Sequence, residues 1–254
     1  MNLGIIGCGA IGTDVALYAD SIPDIKRMYL YDIKPEVSNK LRDKLKKAEV
    51  KSVEDFLGSV DVVFEAASQR AVVEYAEMVL KAGKHLVIMS IGSLFNDTFR
   101  QRLEDTARKH NCKIYLPSGA VCGIDGVYAA SIERLDSVTL VTTKPPASLG
   151  VNVDKRTVIY KGNARDAVER FPRNINVAAC LSLAGIGFDD TTVEIVADPV
   201  ATRINHKILA HGRFGRLRAE VENMPNPNNP QSSYMASLSA IAILRRILDP
   251  IQIG

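Results

Sequence analysis

Residues 2–12 constrain this chain more than any other stretch. Asn2-Leu3-Gly4-Ile5-Ile6 is a short apolar run, and it enters Gly7-Cys8-Gly9-Ala10-Ile11-Gly12, a G-x-G-x-x-G turn. Ala10 to Ala19 then continues with few helix-breaking residues, and Asp32 follows at the end of a second apolar run, Met28-Tyr29-Leu30-Tyr31. Gly7 permits the tight strand-to-helix turn, Gly9 lets backbone approach a pyrophosphate, and Gly12 lets helix and strand pack closely. The first helical turn, Ala10, Ile11 and Gly12, offers free N–H groups and a partial positive charge to phosphates. A lone glycine pattern also fits an ordinary α/β turn. Between a strand and a helix, with an acid at this offset, it points to a dinucleotide site. Asp32 can accept hydrogen bonds from both adenosine ribose hydroxyls and would repel a 2′-phosphate. That favours NAD, while Lys34, two residues on, leaves NADP open.

Past Asp32, strand and helix signals alternate as far as Pro117. Pro35 to Lys47 reads as a charged helix, Val60 to Ala67 as a strand, and Gln69 to Ala82 as a helix stopped by Gly83. His85 to Ser90 reads as a buried strand, Asn96 to Lys109 as a helix, and Lys113 to Leu116 as a closing strand. Continuous apolar strands between helices predict an α/β fold, a doubly wound parallel Rossmann sheet over residues 1–118. Ligands of such sheets bind outside the carboxyl ends of the strands, where Ala67, Ser68, Ser90 and Ser93 fall. Tight βα turns account for the same small residues.

The pattern changes after Ser118. Gly119 to Gly126 carries three glycines in an apolar stretch, predicted to be a buried crossing that opens a helix from about Asp125 to Leu135. Strands with alternating apolar and polar residues follow: Val138–Thr143, Arg156–Tyr160, Thr191–Ala197, Thr202–Ala210 and Gly215–Val221. Two helices lie among them, with Asn163 and Asn174 as N-caps. This predicts an α+β domain over 119–230 on a mixed or antiparallel sheet, one face wet and the other covered by helices. Met224 to Pro230 reads as a turn-rich linker. It delivers a helix over 231–248 whose Leu238, Ile241, Leu244 and Leu248 share a face, expected to pack back near the first domain.

Composition narrows the function classes. Hydrophobic residues make up 46% of 254, enough for full cores. A net charge of +3 with intermixed signs gives no argument for nucleic acid or a membrane surface. No apolar run spans a bilayer, and the start lacks the features of a signal peptide, so the cytoplasm is expected. Cys8, Cys112, Cys122 and Cys180 form no C-x-x-C pair, so free thiols are expected rather than zinc or disulfides.

Among four histidines, His85, His110 and His211 have plain structural readings. His206 differs. In Ile204-Asn205-His206-Lys207-Ile208, alternation puts it on the face of Ile204 and Ile208. It is either a satisfied core residue or a placed catalytic group, and histidine titrates in the range a proton acceptor needs. Asn176, in the first turn of its helix, is either a solvated helix start or a holder of a nicotinamide carboxamide or substrate carboxylate. No metal cluster stands out.

The chain resembles the archaeal and bacterial L-aspartate dehydrogenases nearly end to end. The resemblance rests on GCGAIG, FEAASQ, YLPSGAVCGIDG, FPRNINVAACLS, RINHKI and NPNNPQSSYMASLSAIAILR. It implies NAD- or NADP-dependent oxidation of L-aspartate to iminoaspartate, feeding NAD biosynthesis, by a homodimer formed through the second-domain sheet. It also implies that His206 is the active-site residue and that Ala120 and Asn176 contact the cofactor. Arg173, Lys161 and Lys207 are candidates to pair the two substrate carboxylates. Rival readings are a dihydrodipicolinate-reductase-like or homoserine-dehydrogenase-like enzyme, and a non-catalytic dinucleotide sensor.

Overall fold

A computed structural model describes residues 1–171 and 175–252 of the chain, which divides into two units. The first comprises Met1–Pro117 and the C-terminal helix from Ser237; the second runs from Ser118 to Ala236. Arg173 and Asn174, expected as a carboxylate partner and an N-cap, lie outside the described residues.

In the first unit β1 (Asn2–Ile6), β2 (Arg27–Tyr31), β3 (Ala48–Val50), β4 (Val62–Glu65), β5 (His85–Ile88) and β6 (Ile114–Tyr115) form a parallel sheet in the order β3-β2-β1-β4-β5-β6. The connecting helices are α1 (Ala10–Ser21), α2 (Pro35–Arg42), α3 (Val53–Leu57), α4 (Gln69–Lys81) and α5 (Asp97–Lys109). Leu3, Ile5, Met28, Leu30, Val62 and Phe64 are almost fully buried, as continuous apolar strands in a doubly covered sheet must be. Strand order reverses between β1 and β4, the switch point where such sheets bind ligands.

One expectation shifts here. The helix after Pro35 ends at Arg42 rather than Lys47, and β3 follows it, pairing Met28 with Ala48 and Leu30 with Val50. The Asp20 carboxylate accepts the N–H groups of Lys46 and Lys47, diverting the backbone out of the helix.

The second unit holds α6 (Ile124–Ala130), β7 (Leu135–Lys144), α7 (Pro146–Leu149), β8 (Thr157–Asn163), α8 (Ala164–Arg170), α9 (Asn176–Ala184), β9 (Thr192–Ala197), β10 (Ile204–Gly212) and β11 (Gly215–Asn223). Its sheet runs β11-β10-β7-β9-β8, with β7 and β9 parallel and the other pairs antiparallel. Asn163 caps α8 by accepting the N–H of Asp166. The helix expected over 125–135 stops at Ala130, because β7 begins at Leu135.

The stretch read as a linker is instead a small hairpin, β12 (Pro225–Asn226) and β13 (Asn229–Ser233). Asn226 is fully buried, and its side-chain oxygen accepts the N–H groups of Asn228 and Asn229, closing the turn. Helix α10 (Tyr234–Leu248) follows, and its Ala240, Ile243 and Leu244 join the core of the first unit with Leu3, Val15 and Met28. Burying a leucine or isoleucine is worth about 1.5–3 kcal/mol.

Candidate functional site

The glycine turn has the shape a pyrophosphate needs. Gly7 sits at φ +95, and a Cβ there would meet the Ala66 backbone at 2.7 Å. A Cβ on Gly12 would collide with the Gly7 carbonyl oxygen. Gly9 is the opposite case: it is exposed, and a Cβ there would meet nothing within 4 Å. Gly7 and Gly12 serve backbone packing, and Gly9 keeps space open at the start of α1. No side chain caps that helix, so the first-turn N–H groups of Ala10 and Ile11 suit an anion.

Asp32 closes the other side of the turn. Its Oδ2 accepts the Cys8 N–H at 2.8 Å and its Oδ1 the Lys34 N–H at 3.0 Å. Each carboxylate oxygen retains capacity for a ribose hydroxyl. The residues of this cradle fit the adenosine half of a dinucleotide.

The β4 and β5 ends are organised by a residue the sequence reading passed over. Glu65, the last residue of β4, is 2% exposed. Its Oε1 accepts the N–H groups of Ala67 and Ser68 at 2.8 Å and the Ser90 hydroxyl at 2.9 Å; its Oε2 accepts the Ser90 N–H at 3.0 Å. Desolvation pushes its pKa up, and these hydrogen bonds pull it back. Ala67 and Ser68 are exposed at this edge, and Ser68 caps α4 by accepting the Ala71 N–H. Ser90 and Ser93 are buried and bonded within the loop. A lone charged residue closing an apolar run was the available signal for Glu65.

In the second unit His206 is 5% exposed on the face that α6, α8 and α9 cover. Its Nδ1 lies 2.9 Å from Thr142 Oγ1, across the β10–β7 pairing. Burial first, and the charge of Lys144 second, hold the imidazole down to about 3. That corrects the expectation of a titration in the physiological range: His206 is neutral at neutral pH. Lys144 lies two residues beyond Thr142 on the same face, is itself 5% exposed, and burial lowers its amine to about 8. The strand expected to end at Thr143 runs one residue further, and the same alternation finds Lys144 once it does.

Asn223 belongs to this face too, since it pairs with Ile204. Its Nδ2 donates to the Ala120 carbonyl at 3.0 Å, which fixes that buried alanine to the end of β11. Asn176 is half-buried at the first position of α9. Lys161 and Lys207 fall on the opposite face. Lys161 pairs there with Glu194 at 3.3 Å, and Lys207 follows His206 directly in the strand. Cys8, Cys112 and Cys180 are buried and Cys122 is exposed, and none of the four is in a disulfide.

A doubly wound sheet with a glycine turn and an acid beside it, in one chain with an α+β unit that holds a buried imidazole, is an architecture suited to a nicotinamide-dinucleotide-dependent oxidoreductase. Residues 7–117 match the family model "Homoserine dehydrogenase, NAD binding domain", and residues 125–247 match "Aspartate dehydrogenase, C-terminal". The L-aspartate dehydrogenase of Methanosarcina acetivorans is 42% identical over 269 aligned residues, covering 100% of this chain and 99% of that one. That of Nitrosopumilus maritimus is also 42% identical, over 270 residues with the same coverage. The crystal structure of aspartate dehydrogenase from Thermotoga maritima superposes with a TM-score of 0.85 at 28% identity, covering 100% of this chain and 99% of that one. The chain belongs to the L-aspartate dehydrogenase family.

Proposed function

We propose that this chain oxidises L-aspartate to iminoaspartate, which hydrolyses to oxaloacetate and ammonia, with NAD preferred over NADP. The observation that carries this is its full-length relation to enzymes named for that activity. Bound at the glycine turn, the nicotinamide dinucleotide supplies the hydride acceptor. The chain's own residues do the rest. Gly7, Gly9 and Gly12 with the N–H groups of Ala10 and Ile11 seat the pyrophosphate. Asp32 takes the ribose hydroxyls and disfavours a 2′-phosphate. Ala67, Ser68, Ala120 and Asn176 serve the nicotinamide half.

His206 handles the amine proton. In the tautomer whose Nδ1–H donates to Thr142 Oγ1, 2.9 Å away, the neutral imidazole presents Nε2 as a proton acceptor. A homodimer through the wet face of the second sheet completes the reading; that face holds a depression of about 410 Å³ bordered by Thr143, Arg156, Glu194 and Lys207.

The test is steady-state NADH absorbance with L-aspartate, run beside NADP as cofactor and L-homoserine as substrate. Aspartate-dependent NADH formation, faster than with either comparison, is expected. Turnover of homoserine with none of aspartate overturns the reading.

A further inference from the structure

We propose that Lys144 receives a carboxylate of the substrate and so makes the His206 site selective for an acidic amino acid. This rests on the aspartate oxidation proposed above. Aspartate brings two carboxylates out of water, and a carboxylate leaves water at a large cost unless a cation meets it. Lys161 and Lys207 cannot meet it beside His206, because strand alternation sends both to the opposite face. Among the described strand residues, Lys144 is the cation on His206's own face. It stands two positions from Thr142, whose hydroxyl holds the imidazole at 2.9 Å.

Its setting is unlike that of an ordinary structural lysine. It is 5% exposed, whereas the side chains of Arg156 and Lys161, on the wet face, are more than half exposed. Burying an ammonium costs stability, so a lysine placed this way is a candidate for function. The Lys144 charge also reaches His206, since it helps depress the imidazole pKa. A carboxylate on Lys144 would therefore lie close to the group that takes the amine proton. An α-amino acid with an acidic side chain meets both requirements.

The experiment uses the full chain with NAD bound, and Lys144→Met and Lys144→Arg beside wild type. Succinate affinity by calorimetry, KM for L-aspartate, NAD affinity and melting temperature are read together. Lys144→Met should weaken succinate binding and raise KM by roughly 10–100-fold, the worth of a charge-assisted hydrogen bond. NAD affinity should hold, kcat should move less than KM, and melting temperature should hold or rise because a buried charge is removed. Lys144→Arg should recover part of the succinate affinity, and it carries the test if the methionine variant does not fold. Wild-type turnover of aspartate, with succinate affinity and KM unmoved in the variants, overturns the assignment of Lys144 alone. Absence of wild-type turnover overturns the functional reading and this inference with it.

Discussion

A histidine buried on an apolar face can be a core residue or a working one, and His206 has the environment of both. Its ring is almost fully enclosed, yet one nitrogen is fixed by the Thr142 hydroxyl and a lysine charge lies near. The two roles separate under substitution. If His206 takes the amine proton, His206→Ala should lower kcat by roughly 10²–10⁴-fold. NAD affinity should change little, because the glycine turn and Asp32, which take the pyrophosphate and the adenosine ribose, do not include His206. A core histidine cut to alanine would instead lose a few kcal/mol of stability, about 2–5 for a large buried side chain. Activity would then fall only as the folded fraction falls. Melting temperature and kcat on one sample distinguish the roles, and a folded His206→Ala enzyme with near-normal turnover removes the histidine from the chemistry. The position of this residue was legible, because period-two alternation is a local property of a strand. Its protonation was not, because that depends on Lys144 and on helices distant in sequence.

Elements show the same division. β1, the glycine turn and α1 were legible because each is specified by residues within a dozen positions of the others. The parallel sheet followed from continuous apolar runs, and the second sheet from alternation. What escaped was set by single side chains, two of them bonding residues far apart in the chain and one within a turn. Asp20 ends α2 early by taking the N–H groups of Lys46 and Lys47. Asn226 turns a proline-rich stretch into a hairpin. Glu65 gathers two loops that composition treats as separate. The phosphate turn gives the sharpest element-level test, because its glycines differ in what a side chain would strike. Gly9 lies at φ −70 with open space beside it. Gly9→Val should keep the circular dichroism and melting temperature of the wild type. NAD affinity should drop by roughly 10–100-fold as the side chain fills the phosphate space and costs a charged hydrogen bond. Gly12→Val should lose the fold itself, since its Cβ meets backbone. Normal NAD binding by Gly9→Val would move the phosphate elsewhere.

Across the whole molecule, buried ionisable groups set how stability responds to pH. The His206 imidazole is depressed from 6.5 to about 3, so between those values the unfolded chain binds a proton that the folded chain refuses. Stability from this group is fully present above pH 6.5 and is lost as pH falls towards 3, at up to about 1.4 kcal/mol per pH unit. Glu65 acts with the opposite sign: its raised pKa lets the folded chain hold a proton that the unfolded chain has released, so its contribution declines as pH rises past 4.5. Lys144, lowered from 10.5 to about 8, weakens the fold below pH 8 and releases that penalty as pH climbs towards 10.5. The three overlap in a plain pH scan, so the informative quantity is a difference between variants. Denaturant unfolding of wild type and His206→Ala at pH 7 and pH 4.5 isolates the imidazole, because Glu65 and Lys144 are common to both chains. Wild type should lose about 1–3 kcal/mol more than His206→Ala on that step down in pH. Equal losses would mean that the folded protein protonates His206 as readily as the unfolded chain does. The imidazole would then be open to water, and its role as an oriented neutral acceptor would fail.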